Sequence, residues 1–148
     1  MAMNYTAEGP VGTVSFYAKP STNQNNFPVG VTDVVLGTEV WDTGANFASN
    51  IFTAPVTGKY LLCGYFYIYQ MDTAADYYEF RITCSNRATS GIVDPGVMAS
   101  DPVYWHVAHS MVVDMDANDT ARLKVQVPNG TVQMDLAQDT FFSGCLVG

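Results

Sequence analysis

Gly58-Lys59-Tyr60-Leu61-Leu62-Cys63-Gly64-Tyr65-Phe66-Tyr67-Ile68-Tyr69-Gln70 is the stretch whose reading decides the fold. Side chains alternate between faces along a strand. Tyr60, Leu62, Gly64, Phe66 and Ile68 therefore share one face, and Leu61, Cys63, Tyr65, Tyr67 and Tyr69 share the other. An antiparallel strand with one face in water reads apolar-in, polar-out. Here both faces are apolar or aromatic, so one lines a core and the other needs a second cover. A partner subunit is the economical source of that cover; the alternative is the N-terminal segment or a long loop folded over the face. Tyrosine suits a contact surface because it buries area and keeps a polar tip. The closing stretch Thr140–Val147 repeats the pattern, with Phe141, Cys145 and Val147 alternating against Phe142, Gly144 and Leu146.

Working outward, strand signals recur with turns between them, and no window carries a helical period. Val14–Lys19 alternates and stops at Pro20, and Ser21–Asn26 is a polar loop. Val31–Trp41, rich in β-branched residues, reads as one strand closed by the turn Asp42-Thr43-Gly44. Ile51–Ala54 is short and stopped by Pro55. Tyr77–Cys84 is a strand, Ser85–Pro102 a long loop, and Val103–Met115 a strand. Ala117-Asn118-Asp119 turns into Thr120–Val127, where Ala121, Leu123, Val125 and Val127 face one way and Arg122, Lys124 and Gln126 the other. Thr131–Leu136 and Thr140–Val147 close the chain. Short strands with regular turns specify an all-β sandwich or jelly roll in a single domain.

Composition excludes several functions. Six basic residues against fourteen acidic ones give a net charge of -8. Nucleic-acid binding needs clustered Lys and Arg, and Lys19, Lys59, Arg81, Arg87, Arg122 and Lys124 are scattered along the chain. The first residues lack the basic and apolar regions of a signal peptide. Tyr60–Tyr69 is about half the length a membrane helix requires, so no membrane insertion is expected. Cys63, Cys84 and Cys145, odd in number and with no CxxC pair, read as buried free thiols of a chain folded in a reducing cytoplasm.

No catalytic constellation emerges. His109 and Ser110 are adjacent, so in a strand they point to opposite faces, and no nucleophile elbow occurs. His106 and His109 read as structural. Asp116-Ala117-Asn118-Asp119 reads as a turn rather than a calcium loop, and Asp114/Asp116 and Asp72/Asp76 form no metal motif. No cofactor or metal is expected. Trp41, Tyr104 and Trp105 offer a conceivable glycan contact, although aromatics in an all-β chain more often fill the core. Asn4-Tyr5-Thr6, Asn118-Asp119-Thr120 and Asn129-Gly130-Thr131 are glycosylation sequons by pattern alone.

Phe52-Thr53-Ala54-Pro55-Val56-Thr57-Gly58-Lys59-Tyr60 before an aromatic strand, and Phe142-Ser143-Gly144 before an apolar residue, resemble the complement C1q globular-head family, a branch of the tumour-necrosis-factor-like jelly rolls. Phe52, Gly58 and Tyr60 match the family spacing Phe-x5-Gly-x-Tyr. Val14-Ser15-Phe16-Tyr17-Ala18 and Asp33-Val34-Val35-Leu36 occur in the expected order. The family often carries aromatics where Leu62 and Gly64 stand, and Phe or Tyr in place of Cys145. Trp41–Phe47, Thr83–Arg87 and Asp114–Asp119 look more like versions in tailed bacteriophages than like animal complement proteins.

The resemblance implies a two-sheet antiparallel jelly-roll sandwich, C1q/TNF-like and homotrimeric, with no catalytic site. It places residues 13–148 in that domain and residues 1–12 in a short N-terminal arm. Tyr60, Leu62, Phe66 and Ile68 then belong to the core, and Leu61, Tyr65, Tyr67, Tyr69 and Phe141 to the trimer interface. The expected role is a structural virion protein: a decoration or cement protein on a bacteriophage capsid, made in the host cytoplasm and touching the major capsid protein. The arm, and the lack of a collagen repeat or coiled-coil stalk, favour it. The alternative is the receptor-binding head of a fibre or spike, attached to a tail component and recognising a host-surface glycan or protein.

Overall fold

The structure is a computed structural model that describes residues 13–129 and 134–148. Its strands, in chain order, are β1 (Ser15–Lys19), β2 (Gly30–Asp33), β3 (Thr38–Asp42), β4 (Phe47–Ala48), β5 (Ile51–Thr53) and β6 (Gly58–Tyr69), followed by β7 (Tyr78–Cys84), β8 (Ala88–Val93), β9 (Tyr104–Met115), β10 (Thr120–Val127), β11 (Asp135–Leu136) and β12 (Phe141–Leu146). A 3-10 turn at Pro95–Val97 is the only helical element among the described residues.

All pairings are antiparallel. The first sheet runs β3-β1-β12-β6-β9, with β11 beside the end of β6. The second runs β4-β5-β10-β7-β8, with β2 also paired to β10. This is the two-sheet jelly-roll sandwich that the strand pattern and the resemblance specify.

Alternation decides the core. Tyr60, Leu62, Phe66 and Ile68 of β6 are fully buried, as are Phe80 and Ile82 of β7 and Leu123 and Val125 of β10. Towards one end, Phe16 stacks on Phe52 at 4.5 Å and meets Phe142 edge-on at 4.9 Å. Gly64 faces the second sheet at close range: a Cβ there would lie 3.0 Å from Leu123 Cδ2 and 3.2 Å from Ile82 Cγ1. That close approach favours a glycine at this position. The turn chemistry is equally local. Ser49 and Asn50 both adopt positive φ (52° and 69°) in the tight turn joining β4 to β5, as a two-residue hairpin requires. Asp42 holds the preceding turn, between β3 and β4, by accepting from Asn46 N at 3.0 Å and Phe47 N at 2.8 Å.

Two expectations need correction. Val31–Trp41 is not one strand: β2 belongs to the second sheet and β3 to the first. Between them Val34 and Leu36 turn into the core, and side chains satisfy the backbone in place of a ladder. Gln24 Nε2 donates to Val35 O at 3.0 Å and its Oε1 accepts from Val35 N at 2.9 Å, while Asn50 Oδ1 accepts from Leu36 N at 2.6 Å. Ser85–Pro102 is not simply a loop, since it contains β8, paired to β7 from Thr83↔Ala88 to Tyr78↔Val93. The expected strand Thr131–Leu136 is seen as β11 alone, its earlier residues lying outside the described ones. The N-terminal arm at residues 1–12 and the Asn4 sequon also lie outside.

Candidate assembly surface

Because β6 presents its second set of side chains away from the core, the outer face of the first sheet is built from odd-numbered β6 residues and whatever its neighbours place opposite them. Register fixes those neighbours. Tyr65 stands opposite Phe141 of β12 and Ala108 of β9; Tyr67 opposite His106; Tyr69 opposite Tyr104. Leu61 stands opposite Cys145 and Val112.

The result is a connected aromatic ridge. Trp41 of β3 meets Tyr17 of β1 at 4.9 Å, Tyr17 stacks on Phe141 at 5.0 Å, and Phe141 stacks on Tyr65 at 5.4 Å. From Tyr65 the chain of rings continues to His106 at 6.0 Å and Tyr67 at 6.4 Å, then to Tyr69 at 5.0 Å from Tyr67, and to Tyr104 at 5.3 Å from Tyr69. Leu61, Tyr65, Tyr67, Tyr69 and Phe141 are all half-buried on this one face, as the alternation requires. Trp41 is 50 % exposed and Tyr104 63 %. Burial, and Asp139 after it, push the Tyr17 phenol above its ordinary range; burial and then Cys145 do the same to the Cys63 thiol. These groups stay uncharged at neutral pH, so the ridge is apolar with polar tips.

Sequence reasoning passed over Tyr17 and His106 as members of this surface. Tyr17 alternates with Phe16 and Ala18, and that parity was the signal available; His106 becomes visible only once its register against Tyr67 is known. Trp41 and Tyr104 belong to the face but stand on its opposite edge strands, while Trp105 pairs with Ile68 on the inward side. The three residues therefore do not share one contact surface.

The other candidates separate. Ser110 points outward opposite Cys63, whereas His109 pairs with Gly64 on the inner side, so the two form no nucleophile–base pair. The His109 ring meets Phe66 edge-on at 5.8 Å, its Nε2 is buried without a hydrogen-bond partner, and burial lowers its pKa. Asp116 and Asp119 close the expected turn, with Asp119 Oδ2 accepting from Asp116 N at 2.9 Å. Among the described residues no three His, Cys, Asp or Glu side chains are placed to hold a metal, and no helix is long and apolar enough to cross a membrane. Of the cysteines only Cys84 is buried; Cys63 and Cys145 are half-buried on the outer face, which corrects the expectation of three buried thiols.

The basic residues are less scattered than the sequence implied. Strand alternation brings Arg81, Arg122 and Lys124 together on the outer face of the second sheet, with Arg81 directly opposite Lys124. Each is matched by acid: Arg81 by Glu79, Arg122 by Asp33 at 3.2 Å, and Lys124 by Asp33 at 3.4 Å. Paired in this way they form no stripe for a phosphate backbone.

No family model matches the chain, and no curated protein matches it. Solved structures do. The globular domain of zebrafish complement 1qA protein is 15 % identical and superposes with a TM-score of 0.64, over 91 % of this chain and 97 % of that one. Murine APRIL, of the tumour-necrosis-factor family, is 16 % identical and covers 90 % of this chain and 98 % of its own, with TM-scores of 0.62 at pH 8.5 and 0.64 at pH 8.0. At such identity the likeness establishes the fold: a C1q/TNF-like jelly roll.

Proposed function

We propose that this chain is a non-enzymatic module that assembles as a homotrimer through the outer face of its first sheet and serves as a bacteriophage capsid decoration or cement protein. The observation that carries the assembly reading is the ring-to-ring ridge from Trp41 to Tyr104, which crosses β3, β1, β12, β6 and β9. Apolar patches of this continuity on soluble proteins mark interaction sites. Covering the part of these rings that is still exposed removes apolar area from water, worth roughly 25 cal/mol per Å² before the costs of association, while the phenolic tips stay polar. The virion role rests on the phage-like wording of Trp41–Phe47, Thr83–Arg87 and Asp114–Asp119.

Purified phage particles carrying this protein at many copies, bound to the capsid, are the expected result; its absence from particles overturns the virion role. A second reading is the receptor-binding head of a fibre or spike that recognises a host-surface glycan or protein. Low copy number at the tail and binding of the isolated protein to host cells would select it.

A further inference from the structure

Along one side of the sandwich the two sheets meet edge to edge. Among the described residues β9 pairs with β6 alone and β8 with β7 alone, so no ladder joins β8 to β9. Side chains fill the seam between them. On β8 the inward positions are Thr89, Gly91 and Val93, opposite Ile82, Phe80 and Tyr78. On β9 Val107, His109 and Met111 point inward, opposite Phe66, Gly64 and Leu62.

At the centre of this seam a ring lies on a backbone. A Cβ at Gly91 would stand 2.9 Å from Val107 Cγ1 and 3.3 Å from His109 Nδ1. The imidazole thus borders the space that a side chain at 91 would take. Its Nε2 is buried without a hydrogen-bond partner, and the ring meets Phe66 edge-on at 5.8 Å. A neutral imidazole tolerates one unused acceptor, whereas an imidazolium carries two N–H donors and needs an acceptor for each.

The surrounding elements offer it no carboxylate. The titratable groups on their inward positions are Tyr60 of β6 and Tyr78 and Cys84 of β7. Burial pushes Tyr78 up to about 12 and Cys84 up to about 11, so both stay uncharged near neutrality. The Tyr60 hydroxyl donates to Val56 O at 2.7 Å. β8 and β10 turn only Thr89 and apolar residues inward. Charged groups stand outside the seam. Glu79 pairs with Arg81, and Asp33 with Arg122 and Lys124, on the outer face of the second sheet. His106 stacks on Tyr65 on the outer face of the first, and Asp94 caps the turn after β8 by accepting from Gly96 N. At the seam's end Arg87 Nε donates to Asp114 Oδ1 at 2.7 Å.

We infer that His109 is a pH-sensitive latch: protonation of its ring drives it out of the seam and frees β8 from β9. Once freed, β8 keeps only its ladder to β7, and an edge strand with an uncovered inward face frays. The direction follows from the surroundings. Burial holds the ring's pKa below the ordinary 6.5, so the open form takes up the proton first and opening is favoured as pH falls below that value. One proton is involved, which limits growth of the open population to about tenfold per pH unit. Arg87, donating to its carboxylate, holds the Asp114 pKa below the ordinary range. The tether beside Ala88 therefore persists while His109 titrates, and β8 opens from its Val93 end. The latch is internal to one copy and works alike in a monomer or a trimer.

Hydrogen exchange of the unmodified chain, followed by mass spectrometry from about pH 8 to about pH 5 and corrected for the intrinsic pH dependence of exchange, tests the latch. The expected result is a loss of protection of roughly fivefold or more over Ala88–Val93 at the acid end, with β6 and β10 within about twofold of their starting values. Unchanged protection in β8, or an equal loss through β10, overturns the latch. His109→Gln carries no charge at any of these pH values and should keep β8 protection independent of pH; an acid loss that persists in it overturns the latch. Should that variant fail to fold, the His109 ring resonances of the unmodified protein give the second readout. They should titrate at the midpoint where β8 loosens, and midpoints more than about one pH unit apart overturn the latch.

Discussion

Phe141 and Tyr65 stand directly opposite each other on β12 and β6, rings stacked at 5.4 Å and tilted by 19°, on the face turned away from the core. Cross-strand aromatic pairs of this kind stabilise a sheet modestly. Their position is more informative than their energy, because the pair joins the Tyr17–Trp41 half of the ridge to the Tyr67–Tyr69–Tyr104 half.

Tyr65→Glu or Tyr67→Glu places a carboxylate in the middle of that ridge. Left unpaired in a closed interface, such a charge costs several kcal/mol. Each variant should sediment as a folded monomer with an unchanged circular dichroism spectrum. A trimer that survives both substitutions would show that another face makes the contact.

Gly144 lies where β12 crosses the core. A Cβ there would meet Leu62 Cδ2 at 2.7 Å, Phe16 Cε1 at 2.8 Å and the Leu61 carbonyl oxygen at 3.0 Å. Gly144→Ala should therefore destabilise the fold by about 1–3 kcal/mol through overpacking. Denaturant unfolding at fixed protein concentration measures it; a change below the experimental error would mean that Leu62 and Phe16 move aside freely.

Phe16 stacks on Phe52 and Phe47 and meets Phe142 edge-on, and it is 1 % exposed. Phe16→Ala should cost about 3–5 kcal/mol, seen as a lower denaturation midpoint with little change in slope. A loss near that of a surface substitution would contradict the packing described.

His109 makes stability depend on pH with a definite sign. Burial between β8 and β6 lowers its pKa below the ordinary 6.5, so the unfolded chain takes up a proton before the folded one does. Stability from this group is complete above the unfolded value and falls as pH drops through 6.5 towards the folded value. His109→Phe should flatten the stability profile in that interval. An unchanged profile would place the acid sensitivity elsewhere.

The two-faced character of β6 was legible in sequence because strict alternation over many residues leaves one assignment of faces, and Leu61, Tyr65, Tyr67, Tyr69 and Phe141 fall together for that reason. β8 was not legible. Its outward Ile92 is 65 % exposed and its inward positions are Thr89, Gly91 and Val93, so hydrophobicity gives no contrast between faces. The break inside Val31–Trp41 was hidden as well. Val34 and Leu36 are as apolar as strand residues, and the partners that end the ladder, Gln24 and Asn50, are distant in sequence. The convergence of Arg81 with Lys124, and the approach of Gly91 to His109, depend on which strands are neighbours. Pattern along a single strand does not carry that information.

Sedimentation of the unmodified protein at micromolar concentration tests the central claim most directly. Burial of the aromatic face between copies predicts one species of roughly 48 kDa, three copies of a 16.1 kDa chain. A stable monomer of 16.1 kDa would contradict it.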